Sequence, residues 1–148
     1  MNTDIKYSIG EILNQINNLS SEDDVRLYLR DNDSNQLRQF FKYAYDPSIE
    51  FYIDKFPDQY YNPVDPIDID GNSSHTIKNC LAKCYLFRKG IPESDRMTQD
   101  QREKILATSI LNYMNKTEAK YFVQMLSKSL KVNNISYSLI KNLYPGLV

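Results

Sequence analysis

Apolar residues recur at the three- and four-residue spacing of amphipathic helices over most of this 148-residue chain. The first such segment has its apolar positions at Ile9, Ile12, Leu13, Ile16 and Leu19. No stretch of useful length alternates apolar and polar residues, as a half-buried strand would. The sequence therefore predicts an all-α fold, a compact domain of six or seven helices.

Capping residues predict where the helices begin. Ser, Thr, Asp and Asn side chains accept hydrogen bonds from the free N–H groups of a first helical turn. The predicted caps, in chain order, are Ser20 or Ser21, Ser34, Ser74, Thr98 and Thr117, and a short closing helix is predicted over Ser136–Leu143. Residues that stop a helix predict the ends. These are Asp46 before Pro47, Gly90, and Asn133 after the last long helix.

The stretch over residues 54–73 lacks helical periodicity. It holds three prolines, Gly71 and a cluster of aspartates, a composition typical of loops. We therefore expect the longest irregular segment of the chain at about 54–73. A chain of 148 residues has the size of one domain and can bury an ordinary core, so we expect a single helical domain over residues 1–148.

Charge is divided unevenly along the chain. Residues 1–74 carry six Lys/Arg and fourteen Asp/Glu, a net charge of −8, whereas residues 75–148 carry twelve and five, a net charge of +7. This division predicts a positive face built by the second half. The net charge of the whole chain is −1 and its pI is about 5.8, which argues against tight, unaided binding to nucleic acid.

The sequence lacks the residue patterns of a catalytic or metal centre. The single histidine, His75, has no evident partners, and Cys80 and Cys84 are two ligands short of a zinc site. No lysine stands in the K-x-D-G context in which nucleotidyltransferases place their nucleophile. We expect a protein that is not an enzyme on its own, with no cofactor and no metal. A run of ~18 apolar residues is also missing, so we expect no membrane span.

Two segments of the chain follow the pattern of a known family. Residues 37–53, LRQFFKYAYDPSIEFYI, match a helix of the form L-x-x-v-x-x-x-Y-d-p followed by an aromatic x-Y-x-I, and residues 55–57 supply a basic-aromatic-proline step. Residues 125–148 match a closing signature whose most specific part is the final hexapeptide LYPGLV. In these segments the chain resembles the N-terminal DNA-binding domain of ATP-dependent DNA ligases of the T-even phage type.

The resemblance implies an orthogonal multi-helix fold that lies along duplex DNA in phage replication, repair or ligation, in the cytoplasm of an infected bacterium. In that family a nucleotidyltransferase domain and an OB domain follow. The sequence stops before them, which leaves two expectations: an excised or split ligase domain, or a free-standing protein that reuses the fold. The implied partners are double-stranded DNA and a ligase catalytic domain or another phage protein. The family's Arg-Asp pair is Lys128-Ser129 here, so a bidentate guanidinium becomes a point charge.

The predicted function is sequence-independent binding of duplex DNA, for which charge contacts to the backbone suffice. The candidate DNA-binding residues are Lys83, Arg88, Lys89, Lys128, Lys131 and Lys141. Lys128 and Lys131 stand three apart near the end of a predicted helix and are expected to share its polar face. The alternative is a non-catalytic protein-interaction or virion component that keeps the fold and has lost affinity for DNA.

Overall fold

The computed structural model describes residues 7–54 and 76–148. Its α-helices are α1 (Ile9–Asn17), α2 (Glu22–Asp31), α3 (Asn35–Tyr45), α4 (Ile77–Cys80), α5 (Pro92–Asp95), α6 (Gln99–Ile105), α7 (Lys116–Leu126) and α8 (Tyr137–Leu143). The described residues contain no strand, and Phe51 and Arg88 form an isolated antiparallel β-bridge. The all-α prediction is confirmed. The predicted irregular segment lies, except for Asp54, outside the described residues.

Tighter and wider helical turns continue two of these helices. A 3₁₀ segment over Leu81–Phe87 continues α4, and a π segment over Leu106–Ile110 followed by a 3₁₀ turn over Leu111–Tyr113 continues α6. Each set corresponds to one helix expected from the sequence. The described residues thus contain the seven expected helical segments and one additional turn, α5, which begins at a proline.

Three of the predicted helix caps are confirmed. Each accepts a hydrogen bond from the backbone N–H three residues on, at 3.1 Å, and they are Ser21, Ser34 and Thr98. The closing helix begins one residue later than predicted, at Tyr137, and Ser136 caps it. The predicted cap Thr117 is wrong, because α7 begins at Lys116, behind Asn115, whose side chain accepts from the N–H of Glu118. The predicted cap Ser74 lies outside the described residues, and Thr76 caps α4.

The predicted end of α7 at Asn133 is wrong. The helix ends at Leu126, and Lys128 follows in the left-handed region with φ 57°. The N–H of Lys128 donates to Met125 O at 3.2 Å, and that of Ser129 donates to Gln124 O at 2.9 Å. These two bonds form a Schellman motif, in which the left-handed position is usually glycine. Because this position is a lysine and not a glycine, the sequence does not predict that the helix ends here.

The core is built around α3 and α7. Leu37, Phe40 and Phe41 of α3 are fully buried, as are Tyr121 and Phe122 of α7. Apolar faces of the other helices complete the same cluster, including the thiols of Cys80 and Cys84, which are free and buried. Burial of each such side chain contributes about 1.5–3 kcal/mol relative to exposure.

One buried carboxylate joins three helices. Glu118, in the first turn of α7, is 1% exposed. Its Oε2 accepts from the N–H of Gly10 at 2.6 Å and from Ser8 Oγ at 2.9 Å, both at the start of α1. Its Oε1 accepts from the N–H of Ile77, the first residue of α4, at 2.9 Å. Burial raises the pKa of Glu118, and these hydrogen bonds oppose that shift. The carboxylate therefore acts as a shared cap for two helix N-termini.

Among residues 7–54 and 76–148, no helix combines the length and the apolar character needed to cross a bilayer.

Candidate functional site

The two segments that carry the ligase resemblance meet in space, because the C-terminal residues pack on α3. Tyr144 is 5% exposed, and its ring lies 6.0 Å from the ring of Phe41. The guanidinium of Arg38 lies 5.2 Å from the centre of the same tyrosine ring. About one hundred residues of sequence therefore separate two surfaces that are in direct contact.

A tight turn explains the closing YPGLV. Pro145 and Gly146 occupy the turn, Gly146 has φ 84°, and Leu147 N donates to Tyr144 O at 3.0 Å. A positive φ after a proline is the geometry of a type II turn, which favours glycine. The turn directs the Leu147 carbonyl to Lys42 Nζ, at 2.9 Å. The most specific part of the resemblance thus has a structural role here, which is to dock the C-terminal residues on α3.

A groove opens beside this contact, between α2, α3 and α8. It has a volume of about 180 Å³, and we call it the arginine groove. Its lining residues are Arg26, Arg30, Asp33, Arg38, Asn142, Leu143 and Tyr144. Arg26 and Arg30 are four apart on α2 and so lie on one face of that helix. Three guanidinium groups and one carboxylate give the lining a formal charge of +2.

The three arginines differ in how they are paired. Arg38 donates two hydrogen bonds to Asp33, at 2.8 and 2.7 Å, and this pair holds the pKa of Asp33 below its usual value. Arg26 lies 3.9 Å from Glu22, a long and exposed contact. Arg30 forms no ion pair with any other described residue. The groove therefore keeps cationic hydrogen-bond donors that its own residues do not use.

The hydroxyl group of Tyr144 is also unused. It is buried and finds no hydrogen-bond partner among the described residues. Burial raises the pKa of Tyr144 to about 12, so this hydroxyl stays protonated and remains a donor at neutral pH. A buried polar group without a partner is uncommon, and each case calls for an explanation such as a bound water or ion.

Lys128 faces the protein instead of solvent. Its Nζ donates to the backbone carbonyl of Tyr43 and, at 2.9 Å, to that of Asp46. Both carbonyls lie at the C-terminal end of α3, where cations are favourable. Burial lowers the pKa of Lys128 to about 8. The expectation that Lys128 and Lys131 share a polar helix face is wrong, because α7 ends at Leu126, before both residues.

The structure brings three of the six predicted DNA-binding residues together. The bridge between Phe51 and Arg88 places Lys89 3.8 Å from Glu50, and Lys128 lies 5.8 Å from the centre of the Phe51 ring. Lys83 is half-buried on the 3₁₀ segment that leads to Arg88. Lys131 and Lys141 are exposed elsewhere, Lys141 on α8 beside the groove residue Asn142. The six residues do not form one continuous surface.

Sequence reasoning missed the arginine groove. Arg26, Arg30 and Arg38 lie in the half of the chain with net charge −8, so the charge sum pointed away from them. The signal that could have found them was local: two arginines four apart on a predicted helix. The opposite wall, from α8, is distant in sequence and could not be paired with α2 without the fold.

The other reactive side chains do not form a site. Among the described residues no group of His, Cys, Asp and Glu could hold a metal ion. Burial raises the pKa of Cys80 to about 11 and that of Cys84 well above its usual value, so neither thiol is activated. Glu118 is fully engaged as a helix cap.

No protein-family model matches the sequence, and no curated protein matches it either.

Proposed function

We propose that this protein binds double-stranded DNA through its phosphate backbone, without reading sequence and without catalysing a reaction. The observation that carries the proposal is the arginine groove, whose lining includes Arg26, Arg30 and Arg38. Guanidinium groups match phosphate oxygens with two parallel hydrogen bonds, which makes arginine the preferred side chain for this contact. Contacts of this type fix a protein on the duplex and carry no sequence information.

The position of the groove supports the same proposal. One wall contains Arg38, from the first segment that resembles the ligase DNA-binding domain, and the other contains Asn142 and Tyr144, from the second. Under this proposal the protein acts in phage DNA replication, repair or ligation, with a ligase catalytic domain as a candidate partner. The net charge of −1 implies modest affinity, so binding should depend strongly on salt.

The test is a salt titration of binding to a nicked and an intact duplex of the same sequence. We expect the double variant R26E/R30E to bind at least about tenfold more weakly than the parent at low salt. The slope of log affinity against log salt should fall by about 1 for each phosphate that the variant no longer neutralises. Arg96→Glu is the matched control, because Arg96 is exposed and lies outside the groove.

Two results would contradict the proposal. One is a parent protein that shows no binding at low salt, and the other is a double variant that binds as the parent does. The first would favour the protein-interaction alternative. The second would assign DNA binding to another surface, for which Arg88 and Lys89 are the next residues to replace.

A further inference from the structure

The arginine groove is small for an organic ligand. Sites for drug-sized molecules enclose roughly 300–1,000 Å³, whereas this groove has about 180 Å³. A single phosphate group on a chain that extends into solvent would fit.

The charge of the groove distinguishes two kinds of phosphate. The three arginines and Asp33 give a formal charge of +2. A phosphodiester carries a single negative charge, whereas a phosphate monoester carries roughly −1.5 to −2 at pH 7. The monoester is thus the better electrostatic match, and it offers one more free oxygen as an acceptor.

Two arginines of the groove have hydrogen-bond donors that could bind the oxygens of a phosphate monoester. Arg30 has no ion pair with a described residue, and Arg26 has only the long contact to Glu22. Arg38 is held by Asp33 through two hydrogen bonds, so it adds charge to the groove but is not one of its free donors.

We propose that the arginine groove is a binding site for a phosphate monoester, with Arg26 and Arg30 as its donors. The inference rests on the proposed function in placing a phosphate contact at this groove, and it adds that a terminal phosphate binds there more tightly than a backbone phosphate. The chemistry is shared by a phosphorylated DNA end and by a free phosphate ester.

The test compares methyl phosphate with dimethyl phosphate at pH 7.5 and constant ionic strength. Chemical shifts of the Asn142 side-chain amide and the Arg30 Nε–H report occupancy of the groove directly. We expect saturable binding of methyl phosphate, at least about tenfold tighter than that of dimethyl phosphate. Equal affinities, or shifts that rise linearly with either ester, would overturn the proposal.

Variants assign the donors. Arg30→Ala should weaken methyl phosphate binding by about tenfold or more, because hydrogen bonds to charged groups exceed those between neutral groups. Arg96→Ala should leave the affinity unchanged. If the Arg30→Ala variant binds methyl phosphate as tightly as the parent does, the proposed phosphate site is wrong. Since Arg30 is exposed, its replacement should leave the fold intact.

A second arm identifies the source of the phosphate. Binding of one blunt duplex is measured with and without 5′-phosphates. Tighter binding of the phosphorylated duplex would assign the groove to a DNA end, and equal binding, with methyl phosphate still saturating, would assign it to a free phosphate ester. Saturation by methyl phosphate without any duplex binding would support the site while refuting the proposed function.

Discussion

Gly10 and Glu118 are in such close contact that a Cβ atom on residue 10 would lie 2.0 Å from Glu118 Oε2. The N–H of Gly10 donates to that same oxygen at 2.6 Å. The absence of a side chain at residue 10 is therefore what allows one carboxylate to reach the start of α1. Ordinary φ/ψ freedom does not explain this glycine, since it lies inside a regular helix.

Gly10→Ala should destabilise the protein, although alanine favours helices by up to about 1 kcal/mol over glycine. The carboxylate would have to move, which leaves the buried N–H of residue 10 without its acceptor at a cost of about 1–3 kcal/mol. We expect a net decrease of about 1–2 kcal/mol in the free energy of unfolding, measured by urea denaturation.

In a Glu118→Ala background the same substitution should be neutral or stabilising. An equal decrease in both backgrounds would show that residue 10 clashes with something other than the carboxylate.

Glu118→Gln tests the carboxylate as a shared cap. Glutamine has the same shape but only one acceptor oxygen, so its amide group must face a backbone donor of either Gly10 or Ile77. We expect the free energy of unfolding to fall by about 1–3 kcal/mol, comparable to the cost of leaving one buried donor unsatisfied. Hydrogen exchange should show which helix start is released. Parent-like stability in urea and unchanged exchange at both α1 and α4 would refute the cap.

Lys128 combines an unfavourable backbone conformation with favourable side-chain hydrogen bonds. Its left-handed φ of 57° costs about 1–2 kcal/mol for a residue with a Cβ. Its ammonium group donates to two carbonyls at the end of α3, and hydrogen bonds with a charged partner contribute about 1.5–3 kcal/mol when well formed.

Replacing Lys128 by alanine and by glycine separates these two effects. Lys128→Ala keeps the backbone strain and removes the hydrogen bonds, so we expect the free energy of unfolding to fall by about 2 kcal/mol. Lys128→Gly removes both the backbone strain and the hydrogen bonds. Its free energy of unfolding, measured in urea, should therefore lie between those of the alanine variant and the parent. A glycine variant more stable than the parent would mean that the strain outweighs the hydrogen bonds. For the same reason, charge reversal at Lys128 would disturb folding and is a poor test of DNA binding.

The helix starts could be predicted from the sequence because capping is local. Ser21 and Ser34 each lie three residues from the N–H group they accept from. The end of α7 could not be predicted in this way. Lys128 stops the helix, and its ammonium group is bound by backbone carbonyls at the end of α3, about 85 residues away in sequence. The π segment after α6 was missed for a related reason, since such segments depend on packing and leave no local pattern.

The candidate site also depends on contacts between residues that are distant in sequence, so it could not be predicted either. Charge summed over each half of the chain directed attention to lysines after residue 75, whereas the fold places Arg26, Arg30 and Arg38 around one groove. The two segments of the resemblance meet at the contact between Tyr144 and Arg38, which borders this groove. The resemblance gave no reason to select the arginines, because Arg26 and Arg30 of α2 come beside Arg38 of α3 only in the folded chain.

Tyr144→Phe should affect stability differently at neutral and alkaline pH. At pH 7 it removes a buried hydroxyl that has no partner among the described residues. Since an unsatisfied buried group is costly, stability should be unchanged or rise by up to about 1 kcal/mol. The stacking on Phe41 and Arg38 is retained.

Above pH 10 the parent should lose stability that the Tyr144→Phe variant retains. The pKa of Tyr144 is raised from 10.0 to about 12 in the folded protein. The unfolded chain therefore releases this proton first, and the contribution of Tyr144 is complete below pH 10 and lost as pH rises towards 12.

One such group changes the unfolding free energy by at most ~1.4 kcal/mol per pH unit, and we expect about half of that, because solvent screens a group near the groove. Tyr45, whose pKa is also raised to about 12, remains in both proteins, so the difference between their urea midpoints at pH 8 and pH 11 isolates Tyr144. Parallel pH profiles for the two proteins would show that the hydroxyl of Tyr144 is hydrated in the folded state.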